Sequence, residues 1–195
     1  MNTCNRLNIG VLELLSSPKV HSMHVLKRET IVNAPLQEVW DFFSSPANLN
    51  RITPPDMSFE ILSDLGPRMH TGMIVRYKVR PIANIPLGWV TEITHCEEGQ
   101  YFVDEQRFGP YRFWHHQHHF ISLADGRVRM TDIVHYDVGF GPLGRLMNKV
   151  YVASRLVDIF DFRASIIHDI FPQDRPALSA DQAAKTPPRD AGAYA

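Results

Sequence analysis

The feature that most constrains this fold is a series of short strand-like segments followed by one long helical segment. Between residues 59 and 138, strand-like runs are interrupted at short intervals by turn signals rich in Gly and Pro. Loops of two to five residues join only antiparallel neighbours, because parallel strands need a much longer crossover. The series therefore predicts an antiparallel meander. The predicted strands are Phe59–Leu62, Met73–Val79, Val90–Cys96, Tyr101–Phe108, Phe113–Leu123 and Val128–Val138.

The segment after the meander is predicted to be helical over Leu143–Phe171. Gly141-Pro142 precedes it, and Pro172 ends it. At 1.5 Å per residue this helix is about 40 Å long, enough to cross a whole sheet. Its predicted buried row, at helical spacing, consists of Leu146, Val150, Ala153, Val157, Phe160, Ala164, Ile167 and Phe171.

The residues before the meander predict a strand and two short helices. Met23–Val32 is strand-like, Asn33 is placed to cap a helix that ends near Ser44-Ser45-Pro46, and a second short helix fits Ala47–Asn50. We expect one domain over residues 23–171, a flexible N-terminal extension over 1–22 and a disordered C-terminal tail over 172–195.

Charge and cysteine content exclude several functional classes. The net charge of −1 gives no basic footprint for nucleic acid. No apolar run is long enough for a transmembrane helix. Cys4 and Cys96 form neither a disulfide framework nor a zinc ligand set, so a cytoplasmic location is expected.

The hairpin Tyr101–Phe120, which turns at Gly109-Pro110, carries the chemistry. Side chains two apart share one face of a strand, so two rows of polar groups lie among aromatic residues. The polar residues spaced in this way are Asp104, Gln106, His116 and His118. Such a mixed face is typical of the wall of a small-molecule cavity.

The turn at Ala124–Gly126 decides which residues join that face. A three-residue turn with Gly126 in the left-handed conformation pairs His118 with Asp132, His116 with Val134 and Trp114 with Tyr136. A two-residue turn would instead place Thr131, Ile133 and His135 there. A His–Asp pair either prepares a general base or satisfies two buried polar groups.

His116 and His118 also point the same way, as two metal ligands would, and Asp104 or Asp132 is available as a third. The rest of the chain offers no dedicated ligand set. We therefore expect no metal and no cofactor.

In the order of its elements and motifs, the chain resembles the START/Bet v 1-like superfamily, also called SRPBCC or helix-grip. Within it, the chain is similar to the polyketide cyclase/dehydrase-like ligand-binding branch. The resemblance covers residues 23–171. It is carried by Ala34-Pro35 to Val39-Trp40, Leu49 to Pro55, Asp104, Gln106, Gly109-Pro110, Trp114, His116, His118, Phe120, Asp132, Tyr136 and Phe140–Gly144.

The resemblance implies an α+β fold in which a curved antiparallel sheet of about seven strands wraps around a long C-terminal helix, with two short helices after the first strand. It also implies a hydrophobic cavity between sheet and helix. We expect a non-catalytic carrier or sensor of a small hydrophobic or amphipathic molecule that is lipid, isoprenoid or polyketide-like. The alternative is a cyclase, dehydratase or hydrolase.

The candidate site residues follow from the hairpin wall. If the protein is an enzyme, the catalytic candidates are His118, Asp132 and Asp104. The ligand-binding candidates are Trp89, Asp104, Gln106, Trp114, His116, His118, Phe120, Asp132 and Tyr136. Ligand identity and oligomeric state stay open at this point.

Overall fold

The computed structural model describes residues 23–66, 68–80, 85–172 and 174. The predicted extension 1–22 and nearly all of the predicted tail 172–195 lie outside these residues. The described chain forms β1 (His24–Val32), α1 (Leu36–Phe43), β2 (Glu60–Ile61), β3 (Ile74–Val79), β4 (Leu87–Glu97), β5 (Tyr101–Phe108), β6 (Phe113–Ser122), β7 (Val128–Asp137), α2 (Gly141–Met147) and α3 (Ala153–Ile170).

The strands form one antiparallel sheet in the order β1-β7-β6-β5-β4-β3-β2. From β2 to β7 each strand pairs with the next one in the chain, which confirms the predicted meander, and β1 closes the order beside β7. The pairing of β4 with β5 slips between Val90 and Thr91 and again between Ile93 and His95. Such bulges increase local twist and bend the sheet, which curves around the C-terminal helix in the helix-grip arrangement.

Between β1 and the meander, the chain covers one end of the sheet. α1 buries Val39, Trp40, Phe42 and Phe43, and 3₁₀ turns over Pro46–Ile52 and Pro55–Met57 follow it. The expected cap at Asn33 is wrong, because α1 begins at Leu36 with Pro35 in the capping position. The side-chain amide of Asn33 instead donates to the carbonyl of Pro172, 2.8 Å away, and so ties the end of β1 to the end of α3.

The long C-terminal helix is confirmed, but its buried row is only half right. Phe160, Ile167 and Phe171 are buried as predicted, whereas Leu146 and Val150 are 58% and 70% exposed. The cause is a π-helical turn over Asn148–Val152 that joins α2 to α3. One extra residue in a turn rotates everything upstream by about 100°.

In the described part of the chain, the core divides into three clusters around a central space. One packs α1 and the end of α3 against β6 and β7, a second packs the start of α3 against β7, and a third lies over β3 and β4. Among the described residues, no helix combines the length and hydropathy needed to cross a membrane.

Candidate functional site

A cavity of about 310 Å³ lies between the sheet, α1 and the C-terminal helix, and all three core clusters contribute to its walls. Most of its lining is aromatic or aliphatic, from Phe42 and Phe43 on α1 to Leu156 and Phe160 on α3. Its volume falls in the lower part of the range for small-molecule sites. A pocket of this composition favours an apolar molecule.

One part of the wall, from the central hairpin, holds two histidines and a carboxylate. Asp104, His116 and His118 line the cavity. Asp132 lies behind them, only 2% exposed. Two aspartates and two histidines thus meet at one point of a largely apolar space.

The four side chains form a closed ring in which each histidine lies between the two carboxylates. Nε2 of His118 is 2.9 Å from Oδ2 of Asp104, and Nε2 of His116 is 2.9 Å from Oδ1 of Asp132. Nδ1 of His116 is 3.3 Å from Oδ2 of Asp104. Nδ1 of His118 is 2.9 Å from Oδ1 of Asp132 but lacks hydrogen-bond alignment.

The strand register explains why these residues meet. Gly126 has a φ of 82°, the left-handed value that the three-residue turn requires. His118 is consequently paired with Asp132, His116 with Val134 and Trp114 with Tyr136, as predicted. On the other side, β5 pairs Asp104 with His116. The short contacts of both Nε2 atoms run diagonally between these pairs.

The ring is electrostatically coupled. A neutral imidazole has only one N–H, so His116, with both nitrogens facing carboxylates, is placed to carry two protons. Burial alone would lower the pKa of His116, but Asp104 and Asp132 outweigh it and raise that pKa. Burial alone would raise the pKa of both carboxyls, but the two histidines hold both values below the usual range.

Two further side chains contact the carboxylates of the ring. Nε1 of Trp114 donates to Oδ1 of Asp104 at 3.3 Å. From α3, Nη1 of Arg163 lies 3.6 Å from Oδ1 of Asp132, and its guanidinium sits over the ring of Phe160. Sequence reasoning missed Arg163. Its signal was a lone charged residue on the buried helix row, three residues after Phe160 and four before Ile167.

Five of the nine predicted ligand-binding residues line the cavity, and four do not. Those in the lining are Trp89, Asp104, Trp114, His116 and His118. The ring of Trp89 meets that of Trp114 edge to face, with centroids 5.3 Å apart.

The other four lie outside the lining and contact other parts of the protein. Gln106 bonds the backbone of Tyr111 with both ends of its amide and so holds the β5–β6 turn. Phe120 packs edge to face on Trp40 in the core. Tyr136 is buried against Tyr111 and His24, and Asp132 lies beneath the histidines. Of these four, only Asp132 reaches the site, through the ring.

Other polar groups in the lining were not predicted. Burial, with a further contribution from Asp104, raises the pKa of the Tyr77 hydroxyl above its usual range, and a hydrogen bond with Thr91 opposes this. Arg155 reaches Asp56 at 2.6 Å, which links α3 to the 3₁₀ turn at Pro55–Met57. No local sequence pattern pairs these residues, because 99 positions separate Arg155 from Asp56.

The chain matches one protein family along most of its described length. The profile of the family described as polyketide cyclase / dehydrase and lipid transport matches residues 32–152. No curated protein matches the chain significantly.

Solved structures are similar in fold at low sequence identity. A START superfamily protein from Mycobacterium smegmatis is 12% identical, with a TM-score of 0.59, and the match covers 77% of this chain and 98% of that one. The Zhui aromatase/cyclase from Streptomyces sp. R1128 is 16% identical, with a TM-score of 0.56 and coverage of 78% and 98%. The major latex-like protein 151 of Panax ginseng is 14% identical, with a TM-score of 0.56 and coverage of 77% and 98%.

Proposed function

The chain belongs to the polyketide cyclase/dehydrase and lipid transport family, and on this premise we propose that its cavity binds a small hydrophobic or amphipathic molecule as a carrier or sensor. The observation that carries the proposal is the cavity of about 310 Å³, which is apolar on most sides and has the ionisable ring in one part of its wall. Burying apolar surface contributes about 25 cal/mol per Å², so the apolar walls supply most of the affinity. The ring selects a ligand with a polar end.

The combination of apolar walls with one ionisable ring defines the ligand class. An apolar body fits against Phe42, Phe43 and Leu156, and a carbonyl or hydroxyl oxygen fits against His116 or His118. Lipids, isoprenoids and polyketide-like molecules all combine these two parts.

The first test is a comparison of native and denaturing mass spectra of the full chain purified from a lipid-rich host. We expect one additional mass in the native spectrum that disappears on denaturation. The released molecule then gives the ligand's chemical class. If the native mass equals that of the bare chain, and the ligand-free protein also fails to bind an apolar probe, the proposal is wrong.

A matched pair of variants on the C-terminal helix places binding in the cavity. Leu156 lines the cavity, whereas Val150 is exposed, so Leu156→Trp fills the site and Val150→Trp adds the same ring outside it. With 1-anilinonaphthalene-8-sulfonate as the probe, we expect stoichiometric fluorescence enhancement for the parent and Val150→Trp and a strong loss for Leu156→Trp. Equal enhancement in a folded Leu156→Trp protein would move the binding site to the surface.

We infer acid–base catalysis as a second candidate function, because three ring members face the cavity. In a dehydration, a carbon-bound proton of the ligand passes to His118, and the departing hydroxyl takes a proton from His116 and leaves as water. The C–H electron pair forms the new double bond, so no oxidant is needed. Asp104, which contacts both imidazoles, holds the pair in place.

The test of this candidate uses the molecule identified by mass spectrometry. It is returned to ligand-free protein, and its mass is followed with time. An enzyme of this type removes one water, a hydrolase adds one, and His118→Gln does neither. An unchanged mass with the parent protein identifies a carrier.

A further inference from the structure

We propose that Asp104, His116 and His118 bind a divalent transition metal ion, of the zinc or ferrous iron class, at the polar end of the cavity. Each residue offers one ligand atom, and the three atoms lie within 4.8 Å of one another. All three side chains line the cavity, so the ion would be held on one side and open on the other. This inference does not depend on the organic ligand proposed above.

The donor set suits such an ion. Two imidazoles and one carboxylate with open positions are the ligands of catalytic zinc sites and of ferrous oxygenase sites. Oδ2 of Asp104 lies 2.9 Å from Nε2 of His118 and 3.3 Å from Nδ1 of His116. Around a tetrahedral ion with bonds of about 2.0–2.1 Å, ligand atoms are about 3.3 Å apart. These two distances are therefore near the tetrahedral value, and the distance between the two histidine nitrogens is at most 4.8 Å.

The second layer of contacts carries the inference further. A histidine that binds a metal through one nitrogen usually gives its other N–H to a carboxylate, which fixes the ring. Here the remaining nitrogens, Nε2 of His116 and Nδ1 of His118, both lie 2.9 Å from Oδ1 of Asp132. Asp132 is outside the cavity lining, directly behind the pair. One buried carboxylate thus orients the imidazole of His116 through a hydrogen bond and lies close to that of His118, whose Nδ1 is not aligned with it.

The carboxylate ligand has an outer partner too. Oδ1 of Asp104 accepts a hydrogen bond from the indole of Trp114, which leaves Oδ2 for the ion. Nη1 of Arg163 lies 3.6 Å from Oδ1 of Asp132 and offsets the negative charge of that carboxylate. The ion therefore has to balance mainly the charge of Asp104. Two of the three proposed ligands, His116 and Asp104, therefore have a hydrogen-bond partner that sets their direction.

An ion at this point would sharpen the choice of cavity ligand. Its open positions face the apolar space, where they would coordinate a carbonyl, hydroxyl or carboxylate oxygen. This consequence, unlike the metal site itself, rests on the proposed function.

The test is metal titration of the full chain after removal of bound ions with a chelator. Zn²⁺ binding is measured by calorimetry, and Co²⁺ is used as a probe because its visible absorption reports coordination by nitrogen and oxygen. We expect one ion per chain, loss of that binding in His118→Ala, and affinity weakened about 10–100-fold in Asp132→Asn. His119→Ala, on the opposite face of the same strand, keeps the parent's affinity.

Thermal melting of each metal-free variant checks that it folds. If His118→Ala does not fold, Asp104→Asn and the Co²⁺ spectrum of the parent decide the question instead. Failure of the parent to bind Zn²⁺ or Co²⁺ stoichiometrically overturns the inference, as does full affinity in a folded His118→Ala or Asp104→Asn protein. Binding of 1-anilinonaphthalene-8-sulfonate to metal-free parent tests the cavity separately, so the two proposals can fail independently.

Discussion

The two faces of the β5–β6 hairpin carry nearly the same residue types in different surroundings. The inner face presents Asp104, His116 and His118, and the outer face presents Glu105, His115, Gln117 and His119. The side chains of His116 and His118 are 5% and 8% exposed, whereas those of His115 and Glu105 are 24% and 25% exposed. A two-residue period alone therefore separates a buried ionic cluster from a solvated one.

The outer groups form an open chain of contacts. Nδ1 of His115 lies 2.8 Å from Glu105, Gln117 lies 3.0 Å from His115, and His119 lies 2.9 Å from Gln117. Water can replace any member of such a chain, so its net contribution to stability is small. The inner ring has less access to water, because His116, His118 and Asp132 are buried and Asp104 accepts a further hydrogen bond from Trp114. The same residue types therefore contribute more to the free energy of unfolding on the inner face than on the outer face.

The largest effect that sharpens this comparison is expected from Asp132→Ala. Removal of this carboxylate leaves His116, His118 and Arg163 buried without their shared anion, and breaking a buried ion pair costs about 3–5 kcal/mol. The free energy of unfolding, measured by denaturant titration in chelator-treated buffer, should fall by that amount. Glu105→Ala, which removes the outer carboxylate, should change it by less than about 1 kcal/mol. Equal losses in the two variants would show that the faces do not differ.

Much of the fold could be predicted from the sequence because its signals are local. Tight turns determine which strands are neighbours, and Gly126 sets the register that brings His118 beside Asp132. The π-helical turn could not be predicted. Because of this turn, Val152 and Leu156 are buried and Leu146 and Val150 are exposed. Both pairs have helical spacing, so the sequence pattern does not show which of them faces the core.

The site was less predictable than the fold because depth in the molecule is not a local property. Trp114 and Phe120 share a strand face, yet Trp114 lines the cavity and Phe120 is covered by Trp40. Which of them is covered depends on where α1 packs. Arg163 contacts Asp132 from a helix 31 positions further along the chain. The periodicity of a strand cannot predict a contact with a residue so far away in the sequence.

A smaller effect is expected from His118→Ala. The imidazole contacts both carboxylates and stacks on Phe102, with ring centroids 4.1 Å apart. Hydrogen bonds to charged groups contribute about 1.5–3 kcal/mol, so the free energy of unfolding should fall by about that amount.

The matched outer variant is His119→Ala, next to it in sequence and on the opposite face. It should lower the free energy of unfolding by less than about 0.5 kcal/mol. A His119→Ala loss as large as that of His118→Ala would break the distinction between the faces.

A still smaller effect is expected from Gly126→Ala, which strains the turn that assigns residues to the faces. The left-handed φ of 82° costs a residue with a side chain about 1–2 kcal/mol. Gly88→Ala is the control, because an added Cβ there meets open space and Gly88 has no left-handed φ. Thermal melting should show a lower Tm for Gly126→Ala and no loss for Gly88→Ala. Equal Tm values would mean that this turn is not what holds the register.

The smallest effect is expected on the outer face, from Arg107→Gln. The guanidinium of Arg107 is 2.5 Å from Glu92 and 3.1 Å from Glu105, which are close contacts, yet its side chain is 42% exposed. Exposed pairs contribute about 0–1 kcal/mol, so the free energy of unfolding should fall by less than about 1 kcal/mol. The difference should shrink between about 0.1 M and about 1 M salt, as the screening length falls from about 10 Å to about 3 Å. A larger loss that salt leaves unchanged would mean that the outer charges are as shielded from solvent as the inner ring, and that alternation along the strand does not by itself separate the two.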